Sequence, residues 1–390
     1  MKRFKQGRRT FSLAACGALI CAFLAGAPEV FSQDNAPAEE LCIDVHHHLM
    51  GREGPHGLPQ KEGSGSGQWR APRPAPGAKQ GRPAADWEGA ARRLIEKMDQ
   101  CGVTSVIVMP PPRVRNNTNS EEYGKLLSVA RQYPGRLYVG AGGHVLNPII
   151  QETGAEAVTA EIRKRFQREA ERLCADGVKC FGEMAATHIS HSPEHPFEEA
   201  PPDHPLFLLL ADIAARKNIP IDLHMDVVAT NTAASAGWRA LSRQNPEIFR
   251  ANVPGLERLL QHNRLARIVL QHVGRDNVGH LNIELLRRLL ATHSNLYLAV
   301  VITPQPTMAG QKTLMPNRII DEDFRIKPEW LDLFREFPER FAIGTDTFTS
   351  PAGADRSPFE ITFRIFKRQL PPDLRSKLCG GNAARIYGLK

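Results

Sequence analysis

The chain has 390 residues, of which 42% are hydrophobic, 24% charged and 7% aromatic. This composition excludes collagen-like, low-complexity and polytopic membrane proteins and is typical of a globular domain with a large core. The formal net charge is +8, but residues 1–32 alone hold five basic residues against one acidic residue. The rest of the chain has no block of basic residues with interleaved aromatics, so we do not expect a nucleic-acid partner.

Residues 1–32 have the features of a signal peptide. A basic stretch that includes the pair Arg8 and Arg9 precedes a largely apolar run over 11–27, and a polar segment follows. The paired arginines resemble a twin-arginine signal, although the general secretion route stays open. We therefore expect export to a periplasmic or extracellular location, with membrane contact only if the segment is not cleaved.

A barrel domain is predicted over residues 38–390, interrupted by a flexible loop over 51–85. Fourteen of the 33 residues in 51–83 are Gly or Pro, so no regular element is expected there. This loop follows the first predicted strand, on the face where α/β barrels carry their active sites.

Eight short apolar or β-branched segments recur along the chain and are typical of buried parallel strands. They begin at residues 41, 103, 136, 177, 219, 266, 295 and 340. Segments with helical spacing lie between them, including 87–98, 162–173, 204–217, 281–292 and 328–337. Eight alternating strands and helices predict an α/β protein with a (β/α)8 TIM barrel, because a doubly wound sheet has fewer strands and a Gly-rich first turn.

Side chains that bind metals stand at the ends of five predicted strands. In the first strand, His46 and His48 are two residues apart and therefore project to the same side. The other strands end on single residues, namely Glu183, His224, His272 and Asp346. Because the ends of parallel strands meet at one face of a barrel, their convergence predicts a metal site.

This pattern resembles the amidohydrolase superfamily, with HxH on the first strand, single histidines on the fifth and sixth, and an aspartate on the eighth. The closing GGNAARIYGL sequence over 380–389 resembles the tail of the amidohydrolase-related branch. The resemblance implies a distorted barrel that holds one or two divalent ions. In such proteins the ions activate water for hydrolysis or, in some members, assist decarboxylation.

The resemblance also implies roles for individual residues. His46, His48 and Asp346 would bind the first ion. His224 and His272 would bind a second ion, or His224 would bind the first ion while His272 contacts the substrate. Asp346 and His272 are the predicted catalytic residues, with Asp346 taking a proton from metal-bound water and returning it to the leaving group. Neutral imidazoles favour zinc, with manganese or iron as alternatives.

The fourth strand leaves two candidates for a further ligand. Members with two ions often bridge them with a carboxylated lysine, while others use a glutamate. Lys179 and Glu183 face the same way, but Glu183 stands nearer the C-terminal face, so we favour it. The alternative role for Glu183 is a carboxylate that orients a ligand histidine.

Two further residues are predicted to bind the substrate. Arg275 lies three residues after His272 and could bind a substrate carboxylate with its planar guanidinium, the alternative being a surface salt bridge. His188 follows the fourth strand in a segment that also contains His191 and His195. These histidines could line the pocket, but solvated loop positions are the simpler interpretation.

The five cysteines beyond the signal segment show neither a metal-finger spacing nor a disulfide framework, and they are interpreted as buried small hydrophobes. Taken together, the sequence predicts an exported metal-dependent hydrolase of amide, lactone or ester bonds in a small molecule. A decarboxylase of the same superfamily and a non-catalytic metal-binding protein are the alternatives. The number of ions, and assembly as a homo-oligomer, stay open.

Overall fold

The computed structural model describes residues 40–51, 85–112, 120–193, 195–303, 315–351 and 358–389. The predicted signal segment and nearly all of the predicted 51–85 loop lie outside these residues. In the described ranges, no helix is long and apolar enough to cross a membrane.

Eight parallel strands form the centre of the molecule, and we number them β1 to β8 in chain order. Each of the eight predicted segments overlaps one of them, which confirms the strand predictions, although several of the strands extend beyond the predicted segment. Their bounds are Ile43–Leu49, Ser105–Val108, Leu137–Val139, Phe181–His188, Ile221–Met225, Ile268–Val273, Leu296–Val300 and Phe341–Ile343.

The strands pair in the order β3-β2-β1-β8-β7-β6-β5-β4. Backbone hydrogen bonds join the remaining pair, β3 and β4: Lys179 N donates to Val139 O at 2.7 Å, and Gly182 N donates to Ala141 O at 3.1 Å. The ring of eight strands is thereby complete, and the predicted α/β TIM barrel is confirmed.

The barrel is distorted beside the residues predicted to form the site. Strand register shifts between Asp44 and His47 in β1 and between Phe181 and Met184 in β4. A third shift separates Leu270 from Val273 in β6, where it faces β7. Such bulges bend a strand and re-aim its side chains, and each of these three lies in a strand that carries a predicted ligand.

Helices cover the outside of the barrel. Helix α1 (Trp87–Cys101) is capped at its start by Asp86, whose carboxylate accepts a hydrogen bond from Gly89 N, and at its end by Gly102 in the left-handed conformation. The other predicted helices are also confirmed. The bounds of helices α2 to α12 are Ser120–Ala130, Leu146–Glu152, Ala160–Ala175, Pro205–Lys217, Ala236–Leu241, Val253–His262, Ile283–Thr292, Pro328–Glu336, Pro358–Gln369, Pro372–Ser376 and Asn382–Tyr387.

The two ends of the barrel differ in polarity. Toward the N-terminal ends of the strands, the interior is filled by small and branched apolar side chains such as Val45, Ile107 and Val269. Ile386 and Tyr387 of α12 join this cluster and close the barrel from below. The histidines and carboxylates occupy the opposite end, where the strands terminate, so the site has a packed apolar floor.

Short strand segments extend the C-terminal face. Glu198–Glu199 pairs antiparallel with the end of β4, and Thr347–Thr349 pairs with the end of β1. A two-stranded hairpin, Thr232–Ala233 with Ile248–Phe249, follows β5. Its Phe249 packs in a separate apolar cluster with Ile189, Val228 and Trp238. The hairpin therefore covers the loop that leaves β4.

Three of the five cysteines beyond the signal segment are buried as expected, and the other two are half-buried. The buried residues are Cys42, Cys180 and Cys379, and the half-buried ones are Cys101 and Cys174.

Candidate metal centre

The predicted ligands come together at the C-terminal ends of the strands. His46 and His48 lie near the end of β1, and Glu183, His224 and His272 lie on β4, β5 and β6. Asp346 follows β8 by three residues. All of these side chains are buried or nearly so, although they come from five separate parts of the chain.

His46 and His48 are held so that their Nε2 atoms face the same point. The Nδ1 atom of His46 lies 3.1 Å from Oδ1 of the fully buried Asp222, and Nδ1 of His48 lies 3.0 Å from the carbonyl oxygen of Met109. Both acceptors require a proton on Nδ1, which leaves a lone pair on each Nε2. The two Nε2 atoms are 3.2 Å apart. This is the tautomer that metal-binding histidines adopt when a second partner fixes them.

Two carboxylates face this pair of nitrogens. Oε2 of Glu183 lies 3.7 Å from His46 Nε2 and 3.4 Å from His48 Nε2. Oδ1 of Asp346 lies 3.8 and 3.5 Å from the same two nitrogens. Ligand atoms that bind zinc at 2.0–2.2 Å in a tetrahedron are about 3.4 Å apart. The two Nε2 atoms therefore have the spacing that a divalent ion requires, both with Oε2 of Glu183 and with Oδ1 of Asp346.

Glu183 also forms hydrogen bonds with His224 and His272. Its Oε1 lies 2.6 Å from Nδ1 of His224 and 3.0 Å from Nε2 of His272. Donor atoms of His46, Glu183 and His272 form one compact group, and those of His46, His48 and Asp346 form another. His224 belongs to neither of these groups and touches the centre through Glu183.

Lys179, the alternative ligand on the fourth strand, lies elsewhere. Its ammonium is 5.5 Å from the centre of the Tyr138 ring, a cation–π contact at the level of β3. The preference for Glu183 over Lys179 therefore agrees with the positions of the two side chains.

His272 presents a proton acceptor to the site. Because its Nε2 donates to Glu183, its Nδ1 keeps a lone pair, and within the described residues this buried nitrogen has no hydrogen-bond partner. Oδ2 of Asp346 lies 3.7 Å from it. Both His272 and Asp346 have a left-handed backbone, with φ values of 59° and 51°, a strained conformation for non-glycine residues that is concentrated at functional sites.

Arg275 lies beside Asp346 rather than apart from the ligands. Its Nη1 donates to Oδ2 of Asp346 at 2.5 Å, and both side chains are largely buried. Burial raises the pKa of Asp346, but His272, Arg275 and His48 outweigh it and hold the pKa well below its usual value. Asp346 is therefore a carboxylate at neutral pH, with one oxygen facing the ligand histidines and the other facing Arg275.

The charges of the centre favour a cation between the ligands. Burial lowers the pKa of His46, yet Asp222 and Glu183 together raise it well above its ordinary value. The pKa of His48 is likewise raised by Asp346 and Glu183 against the effect of burial. The carboxylates around the two imidazoles therefore attract positive charge, which a divalent ion would supply in place of the protons.

His188 lies against the centre. Its ring centre is 4.1 Å from that of His224, and its Nδ1 is 3.3 Å from Oε2 of the buried Glu198. Burial and repulsion by His224 lower the pKa of His188 to about 4, so the imidazole is neutral. Oε1 of Glu198 accepts a hydrogen bond from Asn147 at 2.8 Å.

His191 and His195 are not solvated, contrary to the simpler interpretation of that loop. Both are half-buried, and the ring of His191 stands 5.2 Å from Trp238, which belongs to the segment between the two strands of the hairpin after β5. His195 Nδ1 accepts a hydrogen bond from the backbone N of His191. Trp238 is distant in sequence from this loop, so the burial of His191 and His195 could not be predicted from the loop sequence alone.

Three buried carboxyl groups around the centre were not predicted. Asp222 orients His46, Glu198 contacts His188, and Asp226 lies 3.7 Å from Nε2 of His224. Asp222 and Asp226 each stand two residues from His224. Because residues two apart on a strand face the same side, this spacing could have predicted that both carboxylates lie on the side of His224. Glu198 had no such signal, because the pairing of Glu198–Glu199 with β4 depends on the fold of the loop between them.

Comparison with known proteins agrees with this architecture. The family model described as Amidohydrolase matches residues 43–389. A structure described as IDCase of Metarhizium anisopliae, in apo form, is 13% identical with a TM-score of 0.50, covering 90% of this chain and 97% of that one. A probable 2-pyrone-4,6-dicarboxylic acid hydrolase of Acinetobacter baumannii, with citric acid bound, is 14% identical with a TM-score of 0.46, covering 89% and 99%. No curated protein sequence matches significantly.

Proposed function

We propose, because the chain belongs to the amidohydrolase family, that this metal-dependent enzyme hydrolyses an amide, lactone or ester bond of a small molecule. The observation that carries the proposal is the pairing of a metal-binding group of side chains with Nδ1 of His272, which has no hydrogen-bond partner among the residues that the structure describes. Hydrolysis requires a site that binds water and a base that removes its proton, and we assign these two roles to the metal-binding group and to His272.

We assign one ion to the centre, with His46, His48, Asp346 and Glu183 as its ligands. The Nε2 atoms of His46 and His48 face both Oε2 of Glu183 and Oδ1 of Asp346. Because each nitrogen has one lone pair and can bind only one ion, all four side chains are assigned to the same ion. Imidazole and carboxylate ligands suit zinc, and manganese or iron are accepted by the same donors. When bound, a divalent ion lowers the pKa of water toward about 7 and polarises a carbonyl oxygen.

His272 is the proposed proton acceptor. Glu183 fixes the imidazole through Nε2, so its Nδ1 lone pair faces the site. The sequence prediction gave this role to Asp346, whose Oδ2 is instead occupied by Arg275. In this proposal Asp346 binds the ion, and Arg275 positions Asp346. The proton on His272 Nδ1 is then available to the leaving group.

The same geometry favours hydrolysis over decarboxylation. A decarboxylase must donate a proton to the carbanion that carbon dioxide leaves behind, whereas His272 presents a lone pair. The activity test compares amides, lactones and esters with carboxylated aromatic and aliphatic acids. Metal-dependent hydrolysis that chelator abolishes and zinc restores is the expected result. Release of carbon dioxide without hydrolysis of any of these substrates would overturn the proposal.

Metal titration tests the assignment of the centre. Metal-free protein should bind one equivalent of zinc, and Glu183→Gln should weaken binding while keeping a single equivalent. Binding of two equivalents, reduced to one in the variant, would reject the single-ion proposal in favour of a two-ion centre. Full zinc binding by His46→Ala/His48→Ala would reject the centre altogether.

We also propose that the protein is exported, on the basis of residues 1–32. The basic stretch and the apolar run of this segment support the proposal. The mature chain is expected to begin between about residues 28 and 33 and to occur outside the cytoplasm. N-terminal sequencing that returns Met1 from a cytosolic fraction would refute export. Replacement of Arg8 and Arg9 by Lys should block export only if the twin-arginine route is used.

A further inference from the structure

A pair of cysteines lies at the opposite end of the barrel from the metal centre. Cys42 immediately precedes β1, and Cys379 lies in the π-helical turn Lys377–Gly381 near the end of the chain. Both side chains are buried, with 0% and 1% of their surface exposed. Two cysteines at the two ends of a domain are therefore enclosed in the same part of its core.

The segments that carry the two cysteines are in direct backbone contact. A Cβ atom built on Gly380 would lie 2.2 Å from the carbonyl oxygen of Leu41, a separation that allows no side chain at position 380. Both cysteines line one cavity of about 150 Å³, together with Lys367 and Arg375. The two thiols are close enough to share a hydrogen bond, and a disulfide requires such proximity.

The two thiols differ in acidity. A hydrogen bond from Cys379 and the charge of Lys367 lower the pKa of Cys42, although burial acts in the opposite direction. The pKa of Cys379 is raised by that same hydrogen bond and by burial. Lys367 is held in place because its Nζ donates to the carbonyl oxygens of Cys101 and Gly102, both at 2.7 Å. Cys42 is thus the more acidic thiol of the pair.

The other cysteines have different surroundings. Burial is the main cause that raises the pKa of the thiols of Cys101, Cys174 and Cys180, and it raises that of Cys180 well above its ordinary value. Among the cysteines of the described ranges, Cys42 is the one whose pKa is lowered, and the thiolate is the nucleophile in thiol–disulfide exchange.

We propose that Cys42 and Cys379 form an intramolecular disulfide when the protein meets a small-molecule disulfide such as oxidised glutathione. The Cys42 thiolate attacks one sulfur of the donor, forms a mixed disulfide and expels one thiolate. Cys379 then loses its proton and attacks the Cys42 sulfur, which expels the second thiolate of the donor. Two protein thiols are oxidised, and one donor disulfide is reduced to two thiols.

The bond would tie the start of the barrel to its C-terminal segment. Cys42 adjoins the strand that carries His46 and His48, while Cys379 precedes α12, which closes the barrel floor. A cross-link between residues so far apart in sequence restricts the unfolded chain strongly, so it should stabilise the fold. The inference does not depend on the proposed hydrolase activity.

The test uses the full chain, oxidised with glutathione disulfide or reduced with dithiothreitol, then alkylated and digested. We expect a cross-linked peptide pair that contains Cys42 and Cys379 in the oxidised sample alone. The thermal midpoint of the oxidised protein should be higher by about 5 °C or more, as expected for closure of a very long loop. Cys42→Ser and Cys379→Ser should abolish both effects.

Cys180→Ser is the matched control, because Cys180 is equally buried but should not pair. It should leave the cross-linked peptide and the rise in thermal midpoint intact. Separate alkylation of Cys42 and Cys379 after oxidation, or stable glutathione adducts on one of them, would overturn the proposal. The peptide map of the protein without substitutions shows whether Cys42 and Cys379 pair, even if a serine variant fails to fold.

Discussion

The guanidinium of Arg275 donates to Oδ2 of Asp346 at 2.5 Å, and Oδ1 of the same carboxylate faces the Nε2 atoms of His46 and His48. One carboxylate is therefore shared between a fixed positive charge of the protein and the position of the proposed ion. The arginine both orients this ligand and competes with the ion for its negative charge.

Removal of the arginine charge should consequently tighten metal binding. Arg275→Met keeps much of the length of the side chain but removes a positive charge close to the centre, so we expect the zinc Kd to fall by about tenfold. Competition with a chromophoric chelator measures this change. Weaker binding in the variant would contradict the prediction and would show that orientation of Asp346 outweighs charge competition.

Asp222 should matter to metal binding without touching the ion. It lies 3.1 Å from Nδ1 of His46, and Asp222→Asn can present an amide N–H there instead of an acceptor. The imidazole would then carry its proton on Nε2, where the ion binds. We expect zinc affinity to fall by about 10- to 100-fold with the fold unchanged. Glu198→Gln, a change at another buried carboxyl group, is the control and should leave affinity unaltered.

Much of the fold followed from the sequence because buried parallel strands are short apolar segments that stand out between helices. Convergence of His46, His48, Glu183, His272 and Asp346 also followed, since parallel strands end at one face of a barrel. The partners of these residues did not follow. Pairing of Arg275 with Asp346 depends on the turn after β6, where Arg275 N bonds to His272 O. Such a turn is set by tertiary packing, and no spacing in the sequence specifies it.

His272 can be distinguished as a base or as a ligand by a single substitution. In His272→Gln the imidazole Nδ1 lone pair is lost, so kcat should fall by about 10²- to 10⁴-fold on whichever substrate is hydrolysed. Metal content, measured by elemental analysis, should stay near one equivalent. Loss of metal in step with activity would show that His272 holds an ion, the other role that the family resemblance gave it.

Glu198 should make stability depend on pH. Burial raises its pKa from the ordinary value near 4.5 to about 8, so the folded protein keeps this carboxyl group protonated at neutral pH. Above about pH 4.5 the unfolded chain loses the proton while the folded chain retains it, and the stability gained from the group declines until about pH 8. At pH 8 ionisation costs the fold on the order of a few kcal/mol relative to pH 4.

Glu198→Gln cannot ionise and should escape this loss. The thermal midpoint of the variant should therefore rise relative to the parent protein as the pH is increased from 5 to 8, even if the variant is the less stable protein at pH 5. Differential scanning fluorimetry across this range measures the trend. Glu329→Gln, at an exposed position of α9, is the control and should differ from the parent by a constant amount. A constant difference for Glu198→Gln as well would show that Glu198 ionises normally in the folded protein.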